Sequence, residues 1–167
     1  MSNTPENLKA AFAGESQANR RYLAFAREAD KAGHKRVARL FRAAAEAETV
    51  HAHNHLNVMG GVKTTKENLE AAIGGENYEF TKMYPEFIAQ ARADKNSRAE
   101  GSFDLANKVE KIHHGLFQKA LEGLGSAKAD EGKPFFVCQV CGNTVEGAAP
   151  DKCPICGAPR SRFMKVE

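Results

Sequence analysis

Two glutamate-containing patterns each occur twice in the chain, and their spacing constrains the fold more than any other feature. Gly14-Glu15 recurs as Gly75-Glu76, and Glu48-x-x-His51 recurs as Glu110-x-x-His113. The offsets are 61 and 62 residues, which are nearly equal. Each glutamate lies in an otherwise apolar helical stripe, where an uncompensated carboxylate is costly to bury. The repeat therefore predicts helices that direct acidic side chains toward a shared interior.

Apolar periodicity predicts four long amphipathic helices. The first begins with Thr4 as N-cap and Pro5 in its first turn, and it ends at Gly33. The others are a second helix from about His34 to Met59, a connection with a short helix from Thr65 to about Ile73 that Gly74-Gly75 interrupts, a third helix that carries Glu76 to Phe87, and a fourth from about Ser97 to Leu124. This layout is an all-α four-helix bundle of the ferritin-like kind, with one crossover connection.

Composition limits the function classes and the domain boundaries. The 167 residues include 24 Lys and Arg against 21 Asp and Glu, and the basic residues are scattered, which argues against nucleic-acid binding. There is neither a signal-peptide pattern nor a run of membrane-spanning length, so a cytoplasmic location is expected and a membrane role is not. We predict a helical domain over 1–124, a small polar linker over 125–134, and a domain over 135–167 that is too short to fold without a metal.

The glutamates and two histidines are the predicted metal ligands of the helical domain. Four helices that each direct a carboxylate inward, two of them adding a histidine one turn later, match a di-iron carboxylate bundle. The predicted ligands are Glu15, Glu48, His51, Glu76, Glu110 and His113. The remaining histidines are weaker candidates: His114 lies near the stripe, His55 is expected beside the site or in the core, and His53 and His34 are expected on the surface.

One acidic residue breaks the symmetry of the repeat. Glu79 follows Glu76 by one helical turn, whereas Ala18 occupies the matching place after Glu15. One metal ion is therefore expected to have more carboxylate within reach than the other. His51-x-x-x-His55 has the spacing of a zinc protease, but Ala52 stands where the general-base glutamate belongs, so that activity is not expected.

The four cysteines form two Cys-x-x-Cys pairs near the C-terminus. Cys138 and Cys141 are separated by eleven residues from Cys153 and Cys156, and together they are expected to hold one tetrahedral ion. Spacing alone favours zinc over a single redox iron. A neighbouring di-metal centre that needs an electron source favours iron instead.

With these motifs, the chain resembles the rubrerythrin family over almost its whole length. Glu76-Asn77-Tyr78-Glu79 with Met83-Tyr84-Pro85-Glu86-Phe87 is similar to the family's third helix, and Cys153-Pro154-Ile155-Cys156-Gly157 to the second knuckle of its rubredoxin-like domain. The resemblance implies that Glu48 and Glu110 bridge two irons, that Glu15 and Glu76 are terminal ligands, and that His113 stays bound while Glu79 exchanges with His51 upon reduction. It also implies that Tyr22 and Tyr84 hydrogen-bond to ligand carboxylates. The resemblance further implies that a rubredoxin-type iron is held by Cys138, Cys141, Cys153 and Cys156.

The resemblance also implies an activity and partners. It implies reduction of hydrogen peroxide to water by a non-haem di-iron centre, with electrons relayed through the Fe(Cys)4 site from NAD(P)H by a separate reductase or rubredoxin. Head-to-tail dimers in the family imply at least a homodimer here. Two alternatives remain open: a ferroxidase or O2 reductase, and an iron-binding protein with a structural zinc ribbon.

Overall fold

The structure, a computed structural model, describes residues 3–125 and 132–166. It divides into two compact units, Met1–Lys63 and Thr64–Glu167, which are described separately below. Within the described residues, no helix combines the length and the apolar character that crossing a membrane requires. The predicted linker falls largely on residues 126–131, which lie outside the described part of the chain.

The first unit is a helical hairpin of α1 (Thr4–Lys31) and α2 (Lys35–Val58). The two helices pack closely through small side chains, since Ala26, Ala38 and Ala45 are almost completely buried. The predicted N-cap was wrong by one residue. Asn3, not Thr4, caps α1, because the Asn3 side chain accepts the backbone N–H of Glu6 and the Glu6 carboxylate accepts the backbone N–H of Asn3.

The second unit contains three α-helices, α3 (Thr65–Tyr78), α4 (Tyr84–Ala93) and α5 (Ser97–Gly123). The predicted interruption at Gly74-Gly75 was wrong, because α3 runs through both glycines without a break. Glycine in a helix costs only about 1 kcal/mol relative to alanine, and neighbouring packing offsets such a cost. The irregularity lies further along, at a π-helical turn over Glu79–Met83.

The π-helical turn adds one residue to the helical path between α3 and α4. The backbone N–H of Tyr84 donates to Glu79 O, which is the i to i+5 bond of a π-helix. Glu15 and Tyr22 are seven residues apart, whereas Glu76 and Tyr84 are eight apart. The extra residue accounts for the change of offset from 61 to 62 residues between the two halves of the repeat.

An aromatic cluster occurs once in each unit, with the same 62-residue offset. In the first unit, Tyr22, Phe25 and Phe41 have ring centroids 5.5 to 6.4 Å apart. In the second unit, the corresponding Tyr84, Phe87 and Phe103 lie 5.5 to 6.3 Å apart. The internal repeat therefore extends from the ligand pattern to the packing of both helix pairs.

The C-terminal part of the second unit is a small antiparallel sheet. Its strands are β1 (Phe135–Cys138), β2 (Thr144–Glu146) and β3 (Phe163–Val166), in the order β2-β1-β3. Phe136 pairs with Val145 on one side and with Lys165 on the other. Cys138 ends β1 and Thr144 begins β2, so the hairpin between them contains the first cysteine pair.

Candidate metal centres

The structure brings three of the predicted ligands together in the first unit. Ligand atoms of Glu15, on α1, and of Glu48 and His51, on α2, all lie within 4.8 Å of one another. His51 Nδ1 is 2.9 Å from Glu48 Oε2, as the i, i+3 spacing on one helix face allows. The His51 side chain is 54% exposed. We refer to Glu15, Glu48 and His51 as the first ligand group.

The second unit contains the corresponding group, built from α3 and α5. Ligand atoms of Glu76, Glu110 and His113 also lie within 4.8 Å of one another. His113 Nδ1 is 2.8 Å from Glu110 Oε2 and 3.9 Å from Glu76 Oε1. The His113 side chain is only 27% exposed, half the value for His51. These residues form the second ligand group.

Negative charge is concentrated around the second ligand group. Burial, together with the charge and a hydrogen bond of Glu110 and the charge of Glu79, raises the pKa of Glu76 to about 7. Burial and the charge of Glu110 also raise the pKa of Glu79, against a lowering by His113. Without a counter-charge, one of these carboxyl groups binds a proton near neutral pH.

A cation fits the second ligand group on the chemistry of its donors. Glu76 Oε2 is buried and has no hydrogen-bond partner in the structure. A buried carboxylate oxygen without a partner is costly, and a divalent ion with oxygen and imidazole ligands would satisfy it. The donor set of carboxylates and one histidine suits iron.

Glu79 lies outside both three-residue groups, but its pKa responds to residues of the second group. It begins the π-helical turn and is half-buried. Its pKa responds to the charges of Glu110 and His113, which places it beside the second ligand group. π-helical turns occur frequently at functional sites because they alter which side chains face a site.

The two predicted tyrosines occupy matching positions, but their hydroxyl groups make no recorded hydrogen bond within residues 3–125 and 132–166. Both rings pack in the aromatic clusters described above. Burial and the charges of Glu110, Glu79 and Glu76 raise the pKa of Tyr84, so its ring lies near the second ligand group. Their predicted hydrogen bonds to ligand carboxylates remain a prediction.

The other histidines lie outside the two ligand groups. His114 is half-buried, with its ring edge-to-face with Phe80 at 5.4 Å. His55 is half-buried, while His53 and His34 are exposed.

The four cysteine thiols form a preorganised tetrahedral site. Cys138 Sγ lies 3.7 Å from Cys156 Sγ, and Cys141 Sγ lies 3.6 Å from Cys153 Sγ. These separations are too long for disulfides, but they match the edges of a tetrahedron of sulfurs about 2.3 Å from a central ion. Gly142 and Gly157 follow the two pairs with φ angles of 86° and 77°, a conformation that favours glycine and turns the chain around the site.

The buried amide of Asn143 contacts this cysteine site directly. Asn143 is 1% exposed, and its Nδ2 donates to Cys153 Sγ at 3.7 Å. Burial raises the pKa of the Cys153 thiol, but backbone N–H groups of Cys156 and Ile155 outweigh this effect and lower it to about 7. The Cys153 sulfur therefore lies among hydrogen-bond donors that favour its thiolate, the form that binds metal.

The cysteine domain contacts the helical part of the same chain at the second ligand group. Thr144 Oγ1, at the start of β2, lies 2.9 Å from His113 Nε2 on α5. Close by, a Cβ added to Gly142 would lie 3.6 Å from Val109 Cγ1. In this structure the cysteine domain therefore folds back onto α5 of its own chain.

Two residues near the metal sites, Asn143 and Thr144, were missed by sequence reasoning. Both follow the Cys-x-x-Cys-Gly segment directly. Asparagine and threonine are common in turns and at strand ends, and no motif distinguishes them. Only the tertiary contact between β2 and α5 reveals their partners.

Comparisons with known proteins agree with this geometry. The family model described as Rubrerythrin matches residues 6–121, and that described as Rubrerythrin, rubredoxin-like domain, matches residues 136–164. Rubrerythrin-2 of Clostridium acetobutylicum is 35% identical, with 96% of this chain and 95% of that protein covered. Nigerythrin of Nitratidesulfovibrio vulgaris is 34% identical, with 98% and 86% covered.

Solved structures show the same likeness. A structure of fully reduced, all-ferrous nigerythrin has a TM-score of 0.60 and 33% identity, and the match covers 99% of this chain and 88% of that one. A mixed-valence nigerythrin structure gives a TM-score of 0.59 and 34% identity, with the same coverage. The predicted fold class, a ferritin-like helical domain with a small rubredoxin-like β domain, is confirmed.

Proposed function

Since the chain belongs to the rubrerythrin family, whose members are oxidoreductases with a di-iron site and an Fe(Cys)4 site, we propose that it reduces hydrogen peroxide to water. One observation carries the proposal: the second ligand group and the four-cysteine site lie in one compact unit, in contact through His113 and Thr144. Metal ligands of two different chemistries, placed side by side, suit a redox reaction that needs an electron supply.

The reaction consumes two electrons and two protons for each peroxide, and yields two water molecules. When bound, the irons supply the electrons and anchor the peroxide oxygens, with the cysteine-bound iron as the one-electron donor. Electrons are proposed to come from NAD(P)H through a separate reductase or a rubredoxin. Zinc in the cysteine site would break this supply.

The proposed ligands divide equally between the two groups. Glu15, Glu48 and His51 provide three, and Glu76, Glu110 and His113 provide the corresponding three. Glu48 and Glu110 would each hold iron together with the histidine that they contact. Glu79 is the proposed seventh ligand, exchanging with His51 on reduction, and the exposure of the His51 ring leaves room for such a movement.

Protons for the reaction are proposed to pass through the acidic side chains near the second ligand group. Glu79 and Tyr84 both have raised pKa values there, because burial and the neighbouring carboxylates disfavour their charged forms. A group with a raised pKa keeps its proton to higher pH, and such a proton can be donated to an oxygen of the substrate.

The proposal is tested by single-turnover kinetics without oxygen. The fully reduced, iron-loaded chain is mixed with hydrogen peroxide or with O2, and the visible absorption of the ferric cysteine site is followed. Both iron sites are expected to reoxidise faster with peroxide than with O2. Faster reoxidation by O2 would favour the oxidase, and a colourless cysteine site would favour the iron-binding protein with a zinc ribbon.

A paired variant tests the electron relay. Replacing Cys138 and Cys153 with serine removes two thiolates while the di-iron ligands stay in place. NAD(P)H-driven peroxide turnover is expected to be lost, and unchanged turnover would contradict the relay.

Reduced thiolates agree with the predicted cytoplasmic location, and light scattering tests the predicted homodimer.

A further inference from the structure

The Thr144 hydroxyl is shared between two hydrogen bonds whose directions are determined by its single proton. Thr144 Oγ1 donates to Gly142 O at 3.1 Å. Its other contact, 2.9 Å to His113 Nε2, is therefore one in which the hydroxyl oxygen accepts. The proton of this second bond belongs to the imidazole, so His113 carries its hydrogen on Nε2.

This protonation determines which nitrogen of His113 is available as a ligand. With the proton on Nε2, the Nδ1 lone pair points toward the carboxylates, 2.8 Å from Glu110 Oε2. Two electron-rich atoms at that distance repel each other unless a proton or a metal ion lies between them. Histidine ligands in metal sites commonly have their second nitrogen hydrogen-bonded in this way, which orients the ring and raises its basicity.

We propose that Thr144 is a positioning residue, whose hydroxyl keeps the His113 ring in its ligand orientation and joins it to the first cysteine pair. Gly142 directly follows Cys141, so one carbonyl and one hydroxyl connect that cysteine's peptide to the His113 ring. The inference rests on the proposed function only for its electron-transfer consequence. The positioning itself is a property of the chain.

The first ligand group provides the internal contrast. His51 makes the same contact with its glutamate through Nδ1 as His113 does. Within the described residues, however, no partner is recorded for His51 Nε2. The His51 side chain is also twice as exposed as that of His113. The Thr144 hydroxyl thus distinguishes His113, which is held through both ring nitrogens, from His51, which is held through Nδ1.

The first experiment measures electron transfer in the iron-loaded full chain. After anaerobic reduction and one addition of hydrogen peroxide, reoxidation of the cysteine-bound iron is followed for wild type, Thr144→Val and Thr144→Ser. Valine has the same shape without the hydroxyl, and serine restores it. We expect the valine variant to be roughly 10- to 100-fold slower per loaded molecule, the range for loss of a ligand's outer partner. We expect serine to be within about threefold of wild type.

The second experiment needs no turnover. In the full chain loaded with Zn²⁺, which is diamagnetic, the His113 Nε2 proton is observed by NMR and its exchange with solvent is measured. Wild type and the serine variant are expected to protect this proton, and Thr144→Val is expected to exchange it at least about tenfold faster. A purely structural role for Thr144 would leave this exchange unchanged.

The outcomes separate the two proposals. Wild-type rates and proton protection in Thr144→Val would overturn the inference, as would a serine variant that behaves like valine. If wild type is not reoxidised by peroxide, the proposed function fails, while the exchange measurement still decides the role of Thr144. The visible spectrum of the cysteine-bound iron shows in each variant that this domain has folded.

Discussion

The two ligand groups have the same residue types and the same i, i+3 spacing, but within the described residues the second has more polar neighbours. Glu110 and His113 reproduce the contact between Glu48 and His51 almost to the same distance. The second group adds Glu79, a raised Glu76 pKa and the Thr144 hydroxyl. Repetition of the motif therefore reproduces the contact between glutamate and histidine, while the neighbours of each copy give the two groups different surroundings.

Removing each histidine gives the largest expected difference between the groups. His113→Ala deletes a ligand that both Glu110 and Thr144 position. We therefore expect peroxide turnover to fall by about 100-fold or more, and we expect the protein to lose a large fraction of its iron. His51→Ala should cost only about tenfold, because Glu79 is the proposed alternative ligand. Metal analysis and single-turnover kinetics measure both effects. Equal losses would remove the functional distinction between the groups.

Glu79 accounts for the next difference. Glu79→Ala removes the fifth carboxylate, and we expect roughly tenfold slower turnover with little loss of iron from the oxidised protein. Ala18→Glu is the matched variant, since it adds a carboxylate at the corresponding place after Glu15, and it should not restore activity in a Glu79→Ala background. Rescue by that variant would mean that the position of the extra acid is unimportant.

The stability of the metal-free chain should depend on pH through the second group. The pKa of Glu76 is raised to about 7 in the folded state. The stabilisation that protonated Glu76 gives the folded state is therefore fully present below the pKa that Glu76 has in the unfolded chain, and it is lost as pH rises toward 7. Glu76→Gln cannot ionise, so at pH 8 it should be more stable than wild type by about 1 to 3 kcal/mol, with the difference vanishing near pH 4.

Glu15→Gln is the matched control for this pH effect in the first group. Denaturant unfolding of both variants at several pH values makes the comparison. If Glu15→Gln gained as much free energy of unfolding at pH 8 as Glu76→Gln, the result would contradict the stronger crowding of charge in the second group. Bound metal should abolish the gain at Glu76, since the ion replaces the shared proton.

The smallest effect concerns the cysteine site that adjoins the second group. The Asn143 amide donates to Cys153 Sγ, and such a bond favours the more negative, reduced iron site. Asn143→Leu keeps the branched shape of the side chain and removes the donor, so the reduction potential should fall by about 60 mV or less, a tenfold change at most. Redox titration of the visible absorption measures it. An unchanged potential would show that the backbone donors suffice.

Helical periodicity was sufficient to predict which glutamates and histidines lie together within each unit, because i, i+3 spacing and burial are local properties of the chain. Glu15, Glu48 and His51 are found together, as are Glu76, Glu110 and His113. The contacts of Asn143 and Thr144 could not be predicted in this way, since they depend on where a β-hairpin meets a helix. Gly74-Gly75 misled the reading of α3 because packing overrides intrinsic propensity.

The internal repeat itself contains a signal for the π-helical turn. The offsets of 61 and 62 residues differ by the single residue that the turn accommodates. A change of offset within an internal repeat is therefore evidence for a π-helical turn, provided that both copies keep the same flanking side chains. Here Glu76 and Tyr84 supply those flanks.

The length of the chain between Glu76 and Tyr84 matters as much as the identity of its residues. Each residue of an α-helix rotates the next side chain by about 100°, so deleting one of the residues that follow Glu79 in the turn Glu79–Met83 would change the direction of Glu76 relative to Tyr84 by about that angle. Such a deletion would leave every ligand present in the sequence and still disable the site. Relatives that differ by one residue in this interval are thus expected to differ in metal chemistry, even where alignment shows all ligands retained.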